Sequence, residues 1–305
     1  MALEPDLLLD RRRLKRQIGL WRGALILGVV LGLAAFFAGP LPEGAGLGSQ
    51  HVARLKLNGA ITDDRELIRL IERSGRDAQV RALLVTIDSP GGTVAGGEAL
   101  HTAIAGVRAA GKPVVAVLGG TAASAGYMVA LPAERIFARE ATLTGSIGVI
   151  LQSFEVSQLL DRVGVRAEAL TSGPLKDQPS PFRPLTEEGR ASLNAVIQDM
   201  QSQFVAMVAS GRNMPEARVR ELADGRVMTG RQAVSLGLVD AIGGEAEARR
   251  WLAATHDLPA DLRLRDLDPR GAAERVLGMA TGSLWQSGIS VLRSEGLWPG
   301  AWQLR

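Results

Sequence analysis

Cysteine is absent from the 305 residues, histidine occurs three times, and aromatic residues make up only 4%. Without cysteine there can be no disulfide, thiolate metal site, iron–sulfur cluster or cysteine nucleophile. The redox compartment is therefore unreadable from cysteine usage. His51, His101 and His256 form no HExxH pattern, so the common zinc-protease motif is missing. Few aromatics beside 36 glycines suit an α/β fold of close-packed small residues better than an aromatic-rich β-sandwich. Lysine is scarce too. Of 35 basic residues only Lys15, Lys56, Lys112 and Lys176 are lysines, and the other 31 are arginines. Arginine keeps its charge in practice, whereas a buried lysine can lose its proton.

Hydrophobic residues at 46% and charged residues at 22% allow a sizeable core and exclude collagen-like and disordered classes. The net charge of +3 is local. Arg11, Arg12, Arg13, Lys15, Arg16 and Arg22 outnumber Glu4, Asp6 and Asp10 in the first 22 residues, and the remainder is nearly neutral. Nothing in this balance suggests a nucleic-acid surface. Residues 23–39 carry no charge, and with Ile18 to Trp21 they approach the ~20 residues that span a bilayer. The basic residues on the N-terminal side place residues 1–22 in the cytoplasm and the chain beyond residue 40 outside. A cleaved signal peptide and a twin-arginine signal are the alternatives. No A-x-A site follows the apolar stretch. Residues 40–50, rich in Pro and Gly, read as a linker.

The domain expected at 51–248 alternates strands and helices, which implies layered α/β architecture. Residues 51–57 alternate as a half-buried strand, and 64–73 read as a helix. Residues 82–87 and 113–118 are short apolar runs of the kind found in central parallel strands. Leu100, Ile104 and Val107 mark a helix that ends near Gly111. Strands are expected near 135–138 and 165–171. A long helix begins at a Thr186 cap, with Leu193, Ile197, Met200, Phe204 and Met207 as its buried stripe. Residues 249–305, with Trp285, Trp298 and Trp302, form an extension of unassigned role.

Three segments can carry chemistry. Ser124 lies in Gly119-Gly-Thr-Ala-Ala-Ser-Ala-Gly126, where a buried strand gives way to a helix. Small neighbours permit a sharp turn, and a helix N-terminus favours a developing oxyanion. A plain helix cap is the bland alternative. Asp88-Ser-Pro-Gly-Gly92 follows a strand at its C-terminal end, where open α/β sheets place their sites. An ordinary Pro-Gly turn explains it equally well. Lys176 sits in the proline-framed loop 171–183. With no well-placed His, a neutral lysine amine is the plausible base for a serine, provided its pKa of about 10.4 falls by roughly 3 units, about 4 kcal/mol. A solvent-facing lysine paired with Asp177 is the alternative.

Together, DSPGG, TAASAGYMVA, TLTGSIGV, SGPLKDQPSPFRPLTEEGR and VMTGRQAVSLGLVDAIGG resemble the signal peptide peptidase A family, peptidase family S49, from about His51 to Gly244. The resemblance implies a ClpP/crotonase-like fold in single copy behind one N-terminal transmembrane helix. It implies Ser124 as nucleophile, Lys176 as general base and Ser146 as the residue that orients the lysine. Gly91 and the Ser124 N–H are implied as the oxyanion hole, with no cofactor or metal. Pro174 and Gln178-Pro179 depart from the family pattern in the lysine loop. The implied protein is a bacterial inner-membrane endopeptidase facing outward. Its substrates would be signal-peptide remnants and other short apolar or unfolded peptides. A homo-oligomeric ring, perhaps of eight chains, is implied as well. Two other classes are an acyl-CoA enzyme of the crotonase fold and a non-catalytic ring scaffold. A crotonase would want a Glu or Asp base, and the intact Ser124, Lys176, Ser146 and Gly91 speak against decay.

Overall fold

The computed structural model describes residues 21–23, 25–28, 50–259 and 261–268. Residues 21–23 and 25–28 are helical. The rest of the expected membrane span, all but the end of the linker, and the Trp-containing tail lie outside the described residues. Among the described residues no helix is long and apolar enough to cross a membrane. The region from Gln50 onward is a separate unit from residues 1–49.

That unit is built on a mostly parallel sheet. Strand β1 is His51–Asn58, followed by helix α1, Arg65–Arg76. Asp64 caps α1, accepting from the Glu66 and Leu67 amides. Strand β2, Val80–Ser89, leads to helix α2, Val94–Ala109, and then to β3, Val114–Ala123. Helix α3, Ala125–Ala130, comes immediately after, then β4, Arg135–Ala138, and β5, Leu143–Gly145. Strands β1, β2 and β3 lie side by side in parallel. Leu83, Leu84, Val114, Val115, Ala116 and Leu118 are fully buried, as expected of strands covered on both faces.

The C-terminal half differs more from the sequence reading. Residues 165–170 form no strand, and Val165 and Leu170 are exposed. Among the described residues no strand pairs with this segment, and a strand there would leave its backbone groups without ladder partners. The segment runs without regular structure after a short helix α4, Ser157–Arg162, which has no buried residue. Helix α5, Glu187–Gly211, starts at the expected cap, where Thr186 Oγ accepts from the Gly189 amide at 3.0 Å. Of its expected stripe only Phe204 is buried; Leu193, Ile197, Met200 and Met207 are half-buried. Apart from Gly189 in its first turn, the buried residues of α5 lie in its C-terminal part, at Phe204, Val205 and Val208.

Helix α6 (Glu216–Leu222), strand β6 (Val227–Thr229), helix α7 (Gly230–Ser235) and strand β7 (Ala241–Ile242) come next. Helix α8 spans Glu245–His256, so the domain edge expected at residue 248 falls inside a helix. Strand β8, Leu264–Leu267, then pairs in parallel with β1. Asp266 on β8 accepts from Arg54 at 2.6 Å and from Lys56 at 2.8 Å. This accounts for the outward-facing Lys56. Lys112 donates to the Ser74 and Asp77 carbonyls and so satisfies the end of α1.

Helix α3 is short, yet all six of its residues are buried. The Tyr127 hydroxyl donates to the Leu238 carbonyl at 2.7 Å, and burial pushes its pKa up, so it stays a neutral donor. Arg212 grips the same segment, bonding the Gly237 carbonyl and forming a bidentate pair with Asp240. The Asp240 carboxylate also accepts from the Ile136 amide at 2.7 Å. Tyr127→Phe leaves a buried carbonyl without its donor. We expect it to cost about 1–2 kcal/mol, read as a lower urea midpoint at unchanged slope.

Candidate active site

The site begins with a change of partner along β3. Its first part, Val115–Leu118, pairs with β4, and its last part, Thr121–Ala123, pairs with β5. Ser124 follows directly with φ 53° and ψ −122°. Left-handed backbone is costly for a residue with a side chain, and such strain concentrates at functional sites. A serine at a sharp strand-to-helix turn presents its hydroxyl outward. The Ser124 side chain makes no capping bond to α3, so the bland cap explanation does not describe it. Among the described residues no group hydrogen-bonds its hydroxyl.

The DSPGG turn comes to the same place. Gly91 has φ 121°, and a Cβ there would stand 2.9 Å from Ser124 Cβ and 3.4 Å from Ser124 Oγ. The next glycine is tighter still: a Cβ on Gly92 would lie 1.9 Å from the Ile61 carbonyl oxygen. This segment is stitched to the stretch just after β1 by Ile61 N–H donating to the Gly91 carbonyl and Thr93 N–H donating to the Ile61 carbonyl, both at 2.9 Å. Both glycines therefore allow close backbone approach, one to the serine and one to the neighbouring segment.

The amides divide differently from the sequence expectation. Gly91 N–H donates to the buried Ser89 Oγ at 3.1 Å. Ser124 N–H donates to the Gly145 carbonyl at 2.9 Å. Among the described residues none accepts from the Gly92 or Ala125 N–H. Ala125 opens α3, where the first amides lack helical partners. Sequence reasoning passed over Gly92 and Ala125. The signal for Ala125 was available, since the amide after a nucleophile on a strand-to-helix turn is the one the helix leaves free.

Ser146 directly follows the Gly145 that holds the Ser124 amide. It is half-buried, has φ 49°, and donates its N–H to the Arg226 carbonyl at 2.8 Å. Two serines with left-handed backbone thus end the adjacent strands β3 and β5. Among the described residues no hydrogen bond joins Lys176 to either serine. It is exposed, and among the described residues no group pairs with its amine. Asp177 pairs with Arg183 at 3.0 Å, so it is not the lysine's partner.

The histidines lie elsewhere. His51 opens β1 at the opposite end of the sheet. His101 is on α2, where burial holds its imidazole below the ordinary range against the opposing pull of Glu98. His256 ends α8 beside Glu134, 3.1 Å away. Among the described residues no group of three or more His, Asp or Glu is placed to hold a metal ion.

The close approach at Gly91 yields a paired test. Gly91→Ala combines a left-handed φ with a clash against Ser124, whereas Gly59→Ala has φ 76° and open space around it. We expect Gly59→Ala to cost about 1 kcal/mol and Gly91→Ala about 2–4 kcal/mol, compared by urea denaturation.

Residues 107–259 match peptidase family S49. A Synechocystis sp. protein named as a protease, slr0021, is 40% identical over 232 residues, which are 75% of this chain and 83% of that one. An Enterococcus faecium protein named as a signal peptide peptidase SppA is 35% identical over 221 residues, 68% of this chain and 64% of that one. Among solved structures, a point mutant of ClpP1 from Listeria monocytogenes aligns with a TM-score of 0.42 at 17% identity, over 64% of this chain and 93% of that one. The chain belongs to peptidase family S49, in its signal peptide peptidase A branch, and is a serine protease.

Proposed function

We propose that this protein is a membrane-anchored endopeptidase of the ClpP/crotonase-like type. It uses Ser124 as nucleophile and Lys176 as general base, and cleaves signal-peptide remnants and other short apolar or unfolded peptides. The observation that carries the reading is the left-handed Ser124, its hydroxyl uncommitted and its side chain against Gly91. That arrangement has no use in holding the helix, and it suits attack on a carbonyl.

In the first step the neutral Lys176 amine takes the Ser124 proton. Ser124 Oγ bonds to the peptide carbonyl carbon, and negative charge moves to the carbonyl oxygen. The amide of Ala125, paired with that of Gly92, takes the oxyanion role expected of Ser124 and Gly91. Both are uncommitted donors, fixed by strand and helix before the charge appears. Collapse breaks the C–N bond, and the leaving amine receives the proton from Lys176. Water then gives a proton to Lys176 and attacks the ester carbonyl carbon; collapse breaks the C–Oγ bond, Lys176 returns the proton to Ser124 Oγ, and the acid leaves. Ser146 orients the amine.

Lys176 needs burial to lose its proton, and the single chain leaves it exposed. We read the missing cover as a neighbouring copy in a ring, perhaps of eight chains. Support comes from the apolar residues left bare around the lysine: Leu170, Leu175 and Phe182, with Ile150 and Phe154 on the preceding segment. Bare apolar area of this extent marks an interaction site. A heterologous interface repeated by rotation closes a ring. On this reading the uncharged stretch 23–39 is the anchor, and the basic residues before it favour a ring on the outer side of the inner membrane.

Three substitutions test the assignments in the full-length protein with a fluorogenic apolar peptide. Ser124→Ala abolishes hydrolysis; retained turnover overturns the nucleophile. Lys176→Arg also abolishes it, because Arg cannot accept the proton, and the rising limb of the pH–rate profile is unmoved by His51→Ala or His101→Ala. Ser146→Ala lowers kcat on the order of ten- to a hundredfold with folding intact. Sharing of sites between chains is read by mixing inactive Ser124→Ala and Lys176→Ala proteins under subunit exchange. Partial recovery is expected, and no recovery in proven mixed assemblies places both residues in one chain.

A further inference from the structure

The β2–β3 ladder contains an interruption that the catalytic reading does not use. Ile87 faces Leu118, and the next paired residues are Ser89 and Ala122. One residue of β2, Asp88, therefore stands opposite three of β3: Gly119, Gly120 and Thr121. The extra residues fall where β3 leaves β4 and takes up β5. Bulges of this kind bend a strand and re-aim the residues beyond them. Ser124 lies three residues beyond this one.

The bulge is pinned from both sides. On the β2 side the Asp88 carboxylate accepts from the Thr121 N–H at 3.0 Å. The Asp88 backbone is meanwhile occupied with β1, its carbonyl accepting from Gly59 N–H at 3.0 Å. A side-chain oxygen thus replaces the ladder bond that the β2 backbone does not make to β3 at this point. Gly119 leaves room for it, since a Cβ there would lie 3.2 Å from Asp88 Cβ and 3.0 Å from the Ile87 carbonyl oxygen. On the other side buried Thr142 donates to the Gly119 carbonyl and buried Thr144 to the Ala122 carbonyl, each at 2.7 Å.

We propose that Asp88 is a positioning residue: by holding Thr121 N–H it sets the bulge that aims Ser124 at Gly91. It acts as a hydrogen-bond acceptor at a fixed distance, not as an acid or base. The proposal rests on Ser124 being the nucleophile, and Ser124→Ala run alongside reads that assignment separately. A nucleophile displaced by about 1 Å loses on the order of a hundredfold in rate, so the effect belongs in kcat.

The experiment compares Asp88→Asn, Asp88→Ala and Asp88→Glu in the full-length protein, measuring kcat and KM for the fluorogenic peptide together with the melting temperature. Asn keeps an acceptor oxygen at the same distance, and its kcat is expected within threefold of the parent. Ala removes the acceptor and Glu moves it by one methylene. Both are expected to lose ten- to a hundredfold in kcat, with KM within threefold and melting within a few degrees. An Asn variant as slow as Ala overturns the proposal, because charge and not acceptor geometry is then at work. So does a Glu or Ala variant with parental kcat, or one whose loss lies entirely in melting temperature. Should Ala fail to fold, the Asn–Glu contrast decides by the same criteria.

Discussion

The site depends on one unfavourable piece of backbone, the left-handed turn at Ser124. A residue with a side chain adopts it only when its surroundings over-determine it. The surroundings here are specific. Ser124 N–H is held by the Gly145 carbonyl, and the six buried residues of α3 fix the other side of the turn. Tyr127 ties that helix to Leu238, and Arg212 ties the same C-terminal segment through Gly237 and Asp240. Gly91 fills the remaining space against the serine side chain. A chain that relaxed this turn would bury the hydroxyl or spend it on capping α3. In this structure it does neither.

Much of this was legible in the sequence, because local chemistry set it. The apolar runs at 82–87 and 113–118 could only be buried strands, and the small residues 119–126 allowed a turn that larger ones would block. The Thr186 cap announced α5. The parts that were not legible depended on tertiary partners. The segment 165–171 sets Val165, Ala167 and Ala169 between Arg166 and Glu168, a strand-like alternation, but among the described residues no strand pairs with it. Leu193, Ile197 and Met200 show helical periodicity, yet the core reaches only the far end of their helix. Strand β8 lay in a segment without motif, and its place beside β1 follows from Arg54 and Lys56 meeting Asp266, residues more than 200 positions apart. That the Gly91 and Ser124 amides already have acceptors, Ser89 Oγ and the Gly145 carbonyl, was not legible either, because those partners are set by the fold.

The two residues of the proposed dyad stand in different surroundings in the single chain. Ser124, Ser146 and the DSPGG turn are fixed by buried hydrogen bonds, while Lys176 stands in solvent among bare apolar side chains. On the proposed reading, assembly and activation are the same event: burying those apolar side chains against a neighbour also desolvates the amine.

The central claim is that Ser124 is the activated hydroxyl. Treatment of the full-length protein with a fluorophosphonate, followed by peptide mass mapping, tests it most directly. The account gives a single covalent adduct, on the peptide containing Ser124. An adduct on another residue, or none while the same preparation continues to hydrolyse peptide, would contradict it.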